Sequence, residues 1–264
     1  IIPVYNEEKH LNRLLKHLKN KVSEIVVVDS FSTDKTKYIA KKNKCLYFNK
    51  IFKNFSEKLN FAIKKCQSNW IFEIHADEIP QKNFFTKLNK IIEDKKINSI
   101  EIIRNLKFRS KILKYGGVFP QKQLRIWKRK SGYYKKQILD ERVTINSEKK
   151  LISDLFIVDH NLTNEFELIK KHIGYAKKEA LFFFKVIKKN KNKKKKIKDK
   201  ILKKKFFYYN CPIFLRPFML FLFRYLFQLG FRDGISGLVY CLIQTLIYRL
   251  IVDYYIMKKF LKIS

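Results

Sequence analysis

The residues best suited to chemistry form an acidic run, Glu73-Ile74-His75-Ala76-Asp77-Glu78, between an apolar stretch and Ile79-Pro80. An apolar stretch that leads into acids and a proline predicts a strand that stops at a site. Alternate side chains share one face of a strand, so His75 and Asp77 are expected to point the same way. An imidazole beside a carboxylate can hold a divalent cation and the phosphates that it neutralises. The alternative is a solvated acidic turn after an edge strand.

Two more polar clusters follow strand-like segments: Tyr5-Asn6-Glu7 after an apolar start, and Asp29-Ser30 after a β-branched run. Apolar periodicity predicts helices and strands in alternation, with helices over 7–20, 35–43 and 55–65 and strands over 24–29, 45–48 and 70–74. Asn6 is expected to cap the first helix. In parallel sheets ligands bind beyond the carboxyl ends of the strands, so the three clusters are expected to line one crevice for a nucleotide.

The order and spacing of these motifs resemble those of inverting family 2 glycosyltransferases. The matching stretches are Ile-Pro-Val-Tyr-Asn-Glu-Glu at 2–8, Val-Val-Val-Asp-Ser-Phe-Ser-Thr-Asp-Lys-Thr at 26–36, and the acidic run. The resemblance implies the GT-A fold, an α/β architecture with a mixed, mainly parallel sheet flanked by helices. It also implies that Pro3, Tyr5 and Glu7 line the nucleotide pocket and that Asp29 hydrogen-bonds the base.

By the same resemblance, Ala76 and Asp77 belong to the family's DxD motif, and Asp77 ligates Mn²⁺ or Mg²⁺ on the donor diphosphate. His75 stands where the family commonly has Asp. The imidazole can bind the donor's ribose or sugar, ligate the metal, leave the metal weakly held, or simply pack at the strand end. Leu59 stands where the family has a basic residue, and Lys58, about 100° round the helix, is the candidate for that phosphate contact.

Further along, Arg125 matches a basic position of the family and implies a phosphate contact. Inverting transfer needs a carboxylate that takes the acceptor hydroxyl's proton. The resemblance assigns this role to Glu141, with Asp140 as the second candidate; a surface ion pair with Arg142 is the alternative. His160 resembles a position that closes over the diphosphate, and a core histidine is the other interpretation.

The remaining pattern predicts a helix over 81–98, strands over 99–103, 123–127 and 156–160, and a helix over 164–188. The glycine pair Gly116-Gly117 permits close backbone approach beside an acceptor sugar, or forms an ordinary turn.

The composition permits a core and carries a large positive charge: 46% of the 264 residues are hydrophobic, and the formal net charge is +36. Lys, Asn, Ile, Phe and Tyr are abundant while Gly, Pro and Trp are scarce, as AT-rich codon usage would produce. Charge alone therefore does not indicate nucleic acid as a partner. Four widely spaced cysteines are expected to be reduced. The apolar start predicts that the natural chain begins upstream of position 1.

The carboxy-terminal third combines a polybasic segment, 188–205, with an aromatic run at 206–209 and apolar segments at 212–231 and 234–248. The last is uncharged over 15 residues, fewer than the ~20 needed to span a bilayer, so helices that lie in the membrane interface are expected. A solvated basic segment is the alternative. The stretch 229–237 resembles the WaaE/KdtX-like subgroup, which is similar to lipopolysaccharide core glucosyltransferases.

These patterns predict a GT-A catalytic domain over 1–165 and a helical membrane-associating extension over 166–264. The resemblance implies a metal-dependent transferase that moves a sugar, for instance glucose, from a UDP-sugar to a lipid-linked glycan such as lipopolysaccharide core. It implies a peripheral location on the cytoplasmic face of the inner membrane, with an anionic membrane surface as partner. The alternative is an inactive, membrane-bound scaffold or glycan-binding protein derived from this family, because His75 and Leu59 both replace donor-binding residues.

Overall fold

The computed structural model describes residues 1–135, 141–145, 150–162, 164–188 and 200–261. The chain divides into two compact units. The first comprises Ile1–Ile112 and Phe119–Leu162, and the second comprises Leu113–Val118 and Thr163–Ser264. Strands and helices alternate through the first unit, whereas the carboxy-terminal part is helical, so the expected α/β class is confirmed.

The first unit contains eleven strands and four α-helices among its described residues. The strands are β1 Ile2–Val4, β2 Val26–Asp29, β3 Leu46–Asn49, β4 Trp70–Phe72, β5 Glu78–Pro80, β6 Ser99–Phe108, β7 Lys111–Ile112, β8 Gln121–Lys128, β9 Gly132–Tyr134, β10 Val143–Ile145 and β11 Lys150–His160. The helices are α1 Glu8–Leu18, α2 Thr36–Lys42, α3 Phe55–Lys65 and α4 Phe84–Ile92.

The amino-terminal sheet is parallel, in the order β1-β2-β3. Its central strand β2 is buried at every position, which explains its continuous β-branched sequence. Val4 pairs with Asp29, and Asp29 pairs with Asn49, so the three strands end level with one another. Helix α1 packs its leucines against this sheet, where Leu11, Leu14, Leu15 and Leu18 are all buried.

The larger sheet is mixed, in the order β4-β8-β6-β11-β5 with β7 beside β6. Strands β6 and β11 are parallel, while β4/β8, β6/β8 and β5/β11 are antiparallel. Parallel pairing therefore dominates the amino-terminal sheet but not the larger one. Beyond β4, the amide of Ile74 donates to the Ile1 carbonyl at 3.1 Å, so the chain after β4 lies beside β1.

Several expected boundaries shift for local reasons. The helix expected over 81–98 is confined to α4, which follows Asn83 in a left-handed conformation at φ 64°. Asn6 does not cap α1, because its own φ is 55° and Glu7 occupies the capping position. The expected helix over 55–65 matches α3 residue for residue.

The second unit is built from helices. They are α5 Glu165–Phe182, α6 Lys200–Asn210, α7 Leu215–Leu222, α8 Gly234–Cys241 and α9 Tyr248–Phe260. π-helical turns extend three of them, at Phe183–Lys188, Phe223–Phe227 and Leu242–Ile247. Asn164 caps α5 by accepting a hydrogen bond from the Glu167 amide at 2.8 Å.

Buried ion pairs join these helices. Glu179 in α5 accepts hydrogen bonds from Tyr209 at 2.9 Å and from the Arg249 guanidinium at 2.6 Å. Burial would raise the pKa of Glu179, but Arg249 and the phenol of Tyr248 outweigh it and hold the pKa at about 2. Arg216 and Asp253 form a second pair, and both are buried.

The stretch 229–237 holds the glycine pair in place. One carboxylate oxygen of Asp233 accepts hydrogen bonds from the amides of Lys114 and Tyr115, both at 2.9 Å. The Gly116 amide donates to the Gln228 carbonyl at 2.9 Å, and φ is 68° and 70° at Gly116 and Gly117. The glycine pair therefore forms a turn that hydrogen bonds hold in place within the second unit.

One helical segment in the described part of the chain, Gly230–Phe260, is long and apolar enough to cross a membrane by length and composition. Of its most apolar window, 28% is buried inside the protein.

Gly237 allows a close backbone contact that can be tested. A Cβ at this position would lie 2.3 Å from the Gly230 carbonyl oxygen, whereas a Cβ at Gly174 in α5 would meet nothing within 4 Å. We expect Gly237→Ala to lower the free energy of unfolding by roughly 1–3 kcal/mol, and Gly174→Ala to raise it by about 0.5–1 kcal/mol. Urea denaturation of both variants measures this difference. Equal stabilities would contradict the close contact.

Candidate active site

Two loops at the carboxyl ends of β1 and β2 are joined by hydrogen bonds. The Asn6 amide donates to Ser32 Oγ at 2.8 Å, and the Thr33 amide donates to Asn6 Oδ1 at 2.8 Å. The Glu7 amide donates to Thr36 Oγ1, also at 2.8 Å. Asn6, expected to cap α1, therefore serves instead to link the two loops.

Asp29 lies beneath these loops and is fully buried. Its Oδ1 accepts from the Ser32 amide at 3.0 Å and from Ser32 Oγ at 2.6 Å, and its Oδ2 accepts from the Tyr47 hydroxyl at 2.5 Å. Burial and the Asp29 carboxylate raise the pKa of the Tyr47 phenol. Asp29 thus anchors the second loop, and its contact with a base stays a prediction. Tyr47 was not predicted as a site residue. It lies in β3, opposite Val27 of β2.

Tyr5 presents the aromatic surface of this edge, because 58% of its side chain is exposed. Pro3 is half-buried within β1, opposite Val28. An exposed ring beside the ends of β1 and β2 is free to stack on a nucleotide base. The contacts of both residues with a nucleotide stay predictions.

Hydrogen bonds through His10 connect Glu7 to Leu162, which follows β11 of the larger sheet. The Leu162 amide donates to His10 Nε2 at 3.0 Å, and His10 Nδ1 lies 2.8 Å from Glu7 Oε2. Because an amide can only donate, Nε2 accepts and Nδ1 carries the proton that it donates to Glu7. These two hydrogen bonds hold the Glu7 carboxylate close to the carboxyl end of β1.

Lys58 bridges the ends of β1 and β2 from α3. It is 5% exposed, and its Nζ donates to the Val4 carbonyl at 2.6 Å and to Ser30 Oγ at 2.8 Å. Burial lowers the pKa of Lys58 to about 8, although Asp29 and Glu7 act in the opposite direction. Two of its three N–H donors are engaged, so a phosphate contact stays a prediction.

The acidic run is not a solvated turn. Glu73 and Glu78 are 3% and 0% exposed, and the guanidinium of Arg125 lies between them. Arg125 Nη1 donates to Glu73 Oε1 at 2.8 Å, and Nη2 donates to Glu78 Oε1 at 3.1 Å. The guanidinium expected to bind a phosphate is therefore occupied by two buried carboxylates, one just beyond β4 and one in β5. The sequence placed Arg125 near the site, but only the fold shows which way it points.

Both carboxylates remain ionised because of these contacts. Burial would raise the pKa of Glu73, but Arg125, His75 and the Tyr134 hydroxyl outweigh it, and the pKa falls to about 2. The pKa of Glu78 is also lowered, since Arg125, His75 and Arg104 outweigh its burial.

The network continues to β11 through residues that sequence reasoning missed. Arg104 in β6 pairs with Asp159 in β11, and its Nε lies 3.2 Å from Glu78 Oε1. One sequence signal could have identified them: both are charged residues within apolar strand patterns. Burying a charge without a partner is costly, so such residues are expected to pair.

His75 takes part in this network. Its Nε2 lies 3.2 Å from Glu73 Oε1 and 3.1 Å from Arg125 Nη1. Ala76 is 2% exposed and packs into the core of the first unit. The Nε2 of His75 is thus directed toward the ion pairs, which makes it poorly placed as a metal ligand.

Asp77 is half-buried and lies beside His160. The His160 amide donates to the Asp77 carbonyl at 2.9 Å. Arg13 lies 3.0 Å from His160 Nδ1 and donates to the His160 carbonyl at 2.7 Å. Burial, Lys107 and Arg13 lower the pKa of His160. The neutral ring accepts from Arg13 through Nδ1, so its Nε2 carries the proton.

The described residues contain no group of three or more His, Cys, Asp or Glu side chains that could hold a metal ion. A cation delivered with a diphosphate needs less, since Mg²⁺ is commonly bound by one or two carboxylates together with phosphates and water. Asp77 is the candidate carboxylate, because its neighbours Glu73 and Glu78 are both paired with Arg125. The residues present therefore fit Mn²⁺ or Mg²⁺ held through Asp77.

Glu141 is half-buried, and its charge contributes to the raised pKa of the Tyr134 phenol, after burial and Glu73. Tyr134 is fixed by Asn60, since the Tyr134 amide donates to Asn60 Oδ1 and Asn60 Nδ2 donates to the Tyr134 carbonyl, both at 2.8 Å. Arg142 is exposed. Asp140 lies outside the described residues.

A comparison with protein families agrees with this architecture. Residues 1–147, more than half of the chain, match the family model described as Glycosyl transferase family 2. The chain belongs to glycosyl transferase family 2.

Two relatives illustrate the reach of the similarity. The SPbeta prophage-derived glycosyltransferase SunS of Bacillus subtilis is 33% identical over 108 residues, which are 39% of this chain and 25% of that protein. An uncharacterized glycosyltransferase of Rickettsia typhi is 36% identical over 73 residues, which are 28% of this chain and 25% of that protein. The matched part thus spans about a quarter of these curated relatives.

Solved structures show more distant likeness. S. aureus TarS is 17% identical, with a TM-score of 0.43, over 91% of this chain and 53% of that chain. Glucosyl-3-phosphoglycerate synthase of Mycobacterium tuberculosis, in complex with Mn²⁺, UDP and glucosyl-3-phosphoglycerate, is 19% identical, with a TM-score of 0.34, over 40% of this chain and 42% of that chain.

The buried ammonium of Lys58 predicts a pH-dependent stability. Its pKa of about 8 in the folded chain lies below the ordinary value of 10.5. Between these values the unfolded chain binds the additional proton, so the free energy of unfolding of the wild type, relative to Lys58→Met, rises with pH. Urea denaturation at several pH values from 7 to about 11 measures the difference. Lys64→Met, which alters an exposed lysine on the same helix, is the control. The free energy of unfolding of the wild type relative to Lys64→Met should show no such rise with pH.

Arg125 predicts a large loss of stability. Arg125→Met would leave Glu73 and Glu78 buried without their principal counter-charge, at a cost of about 3–5 kcal/mol near neutral pH. The loss should shrink toward pH 5, because carboxylates without a counter-charge take up protons at higher pH. Chemical denaturation at both pH values measures it. The exposed Arg142→Met should change stability by less than about 0.5 kcal/mol, and an equal effect of both variants would contradict the buried network.

Proposed function

We propose that the protein is a metal-dependent inverting glycosyltransferase that moves a sugar, for instance glucose, from a UDP-sugar to a lipid-linked glycan such as lipopolysaccharide core. One observation carries this proposal. The ends of β1 and β2 and the chain after β4 lie side by side, which brings Tyr5, Asp29 and Asp77 to one edge of the first unit. Ligands bind at this edge in α/β sheets.

The nucleotide end of the donor is assigned to the two joined loops. Tyr5 supplies an exposed ring for the base, Pro3 and Glu7 border it, and Asp29 holds the second loop in shape. Lys58 keeps the ends of β1 and β2 together, and its positive charge is assigned to the phosphates of the donor.

The diphosphate end is assigned to the acidic run. Asp77 would hold Mn²⁺ or Mg²⁺, which when bound neutralises charge on the leaving diphosphate. Ala76 precedes it in the motif, and His75 is oriented by Glu73 and Arg125. His160 is the candidate that closes over the diphosphate, and its Nε2–H is assigned a hydrogen bond to a phosphate oxygen.

The acceptor's proton is assigned to Glu141, with Asp140 as the second candidate. The acceptor oxygen would bond to the anomeric carbon on the face opposite the diphosphate, whose bond to that carbon breaks, and this inverts the centre. The carboxylate would take the proton that the hydroxyl loses. Glu141 is half-buried and lies within electrostatic reach of Tyr134, whose hydroxyl contacts Glu73 beneath the acidic run. This connection supports placing the base near the donor site.

The acceptor and location are assigned from the carboxy-terminal region. A soluble UDP-sugar and a lipid-linked glycan meet at the cytoplasmic face of the inner membrane. A chain with a net charge of +36 and a polybasic segment next to aromatic residues suits an anionic membrane surface. Nucleic acid is not a proposed partner, because only the charge favours it.

Release of UDP tests the proposal. With Mn²⁺ or Mg²⁺ and a panel of UDP-sugars, we expect metal-dependent release from one donor. Asp77→Ala should lower this rate about a hundredfold or more, because the charge of the leaving diphosphate is no longer neutralised. Asp154→Ala, which removes an exposed carboxylate paired with Lys87, serves as the control.

Two results would contradict the proposal. An equal rate for wild type and Asp77→Ala would remove Asp77 from the metal site. Failure of the wild type to bind UDP with Mn²⁺ would favour the inactive scaffold or glycan-binding protein.

A further inference from the structure

Every exposed side chain of residues 214–231 is apolar. Nine side chains in this stretch are exposed, with fractions from 42% to 77%, and each is Phe, Leu or Met. We call these the apolar face: Phe214, Leu215, Phe218, Met219, Leu222, Phe223, Leu226, Phe227 and Phe231. From position 215 to 227 they recur at intervals of three and four along α7 and its π-helical turn, so they form one continuous stripe.

Such a surface is unusual for a protein that stays in water. Aromatic side chains have surfaces of roughly 150–250 Å² each, and five of the nine are Phe, each about half exposed or more. The apolar face therefore reaches several hundred Å², a size that marks an interaction site in soluble proteins. Scattered surface hydrophobics do not produce a stripe in helical register.

The polar groups of the same helix are already used within the second unit. Arg216, 3% exposed, is paired with the fully buried Asp253, and the Phe214 amide donates to Asp253 at 3.1 Å. These contacts hold α7 against α9 and turn its remaining surface outward. The apolar face is therefore fixed in its orientation by the fold of this unit.

The apolar segment Gly230–Phe260 is less suited to contact lipid by crossing the membrane. Its Arg249 is paired with Glu179 of α5 at 2.6 Å, and its Asp253 is paired with Arg216 of α7. Insertion as a separate span would break both ion pairs, and unpaired charges in a bilayer are costly. Docking through the apolar face leaves both pairs intact.

Charge distinguishes the two partners that an apolar face could take. A second copy of this chain would bring another +36 formal charge to the interface, which opposes association. An anionic lipid surface instead attracts each nearby Lys or Arg by about 1 kcal/mol. Exposed basic residues are present on the preceding helix α6, at Lys203 and Lys204.

We propose that the apolar face inserts into the interfacial layer of an anionic lipid bilayer and that it, rather than the basic residues alone, anchors the chain. The helix lies in the plane of the membrane, with its apolar side chains among the upper acyl chains. This inference rests on the proposed membrane-associated function and identifies the surface that carries it out.

Flotation with vesicles of phosphatidylethanolamine and phosphatidylglycerol tests this on the whole chain. The variant Leu222→Glu/Phe223→Glu places two charges in the apolar face. The matched control, Phe166→Glu/Ile173→Glu, adds the same two charges at exposed apolar positions of α5. We expect the first variant to bind vesicles about tenfold or more weakly, because charged residues do not enter the acyl layer, and the control to bind within about twofold of the wild type.

The outcomes separate the possible interpretations. An equal loss in both variants would show that binding depends on charge alone and would overturn the proposal. Wild-type protein that resists alkaline carbonate extraction would indicate a spanning segment, and a dimer in light scattering that Leu222→Glu/Phe223→Glu dissociates would indicate a second copy; either result would also overturn it.

Binding of UDP with Mn²⁺, measured without vesicles, separates this inference from the proposed function. If UDP binds normally and vesicles do not, only the membrane inference fails. If the protein binds vesicles but not UDP, membrane anchoring through the apolar face is supported and the proposed transferase function fails. Unchanged thermal unfolding of the variants would show that the exposed substitutions leave the fold intact.

Discussion

The buried contact of Arg125 with Glu73 and Glu78 is the interaction on which the site depends. It joins β8 to both sides of the turn at 75–77, so the position of Asp77 follows from the pairing of three charged groups. Burial of charges is costly unless each has partners, and here Arg104, His75 and Tyr134 supply the remaining contacts. The half-buried Asp77 is therefore held at the strand end by contacts that its own side chain does not make.

The same device recurs in the second unit. Glu179 with Arg249, and Asp253 with Arg216, link α5, α7 and α9 through buried charges. In α7 the pair uses the one charged side chain of the helix, so the surface that α7 leaves exposed is hydrophobic. A helix held by a buried ion pair and exposing Phe and Leu suits a unit that works beside lipid, as proposed for the apolar face.

Much of the fold was predictable. The strand at 24–29 and the helix at 55–65 show strong local patterns; the strand is observed over Val26–Asp29 and the helix over its full predicted length. The predicted helix starts were wrong where a single backbone angle decides the boundary. Asn6 and Asn83 adopt left-handed conformations, so the helices that follow them begin later than predicted. The family was also predictable, because its motifs are short, ordered and close to the strand ends, and the match over 1–147 confirms it.

By itself the sequence determined the α/β class, the family, and the set of polar residues that follow the strands, because these depend on local periodicity and on residue types close together in the chain. Only the tertiary structure decided the direction of each side chain. Arg125 faces Glu73 and Glu78 rather than a phosphate, and Lys58 bridges β1 and β2. These contacts join residues about 50 positions apart, and the sheet order that brings them together is set by long-range packing.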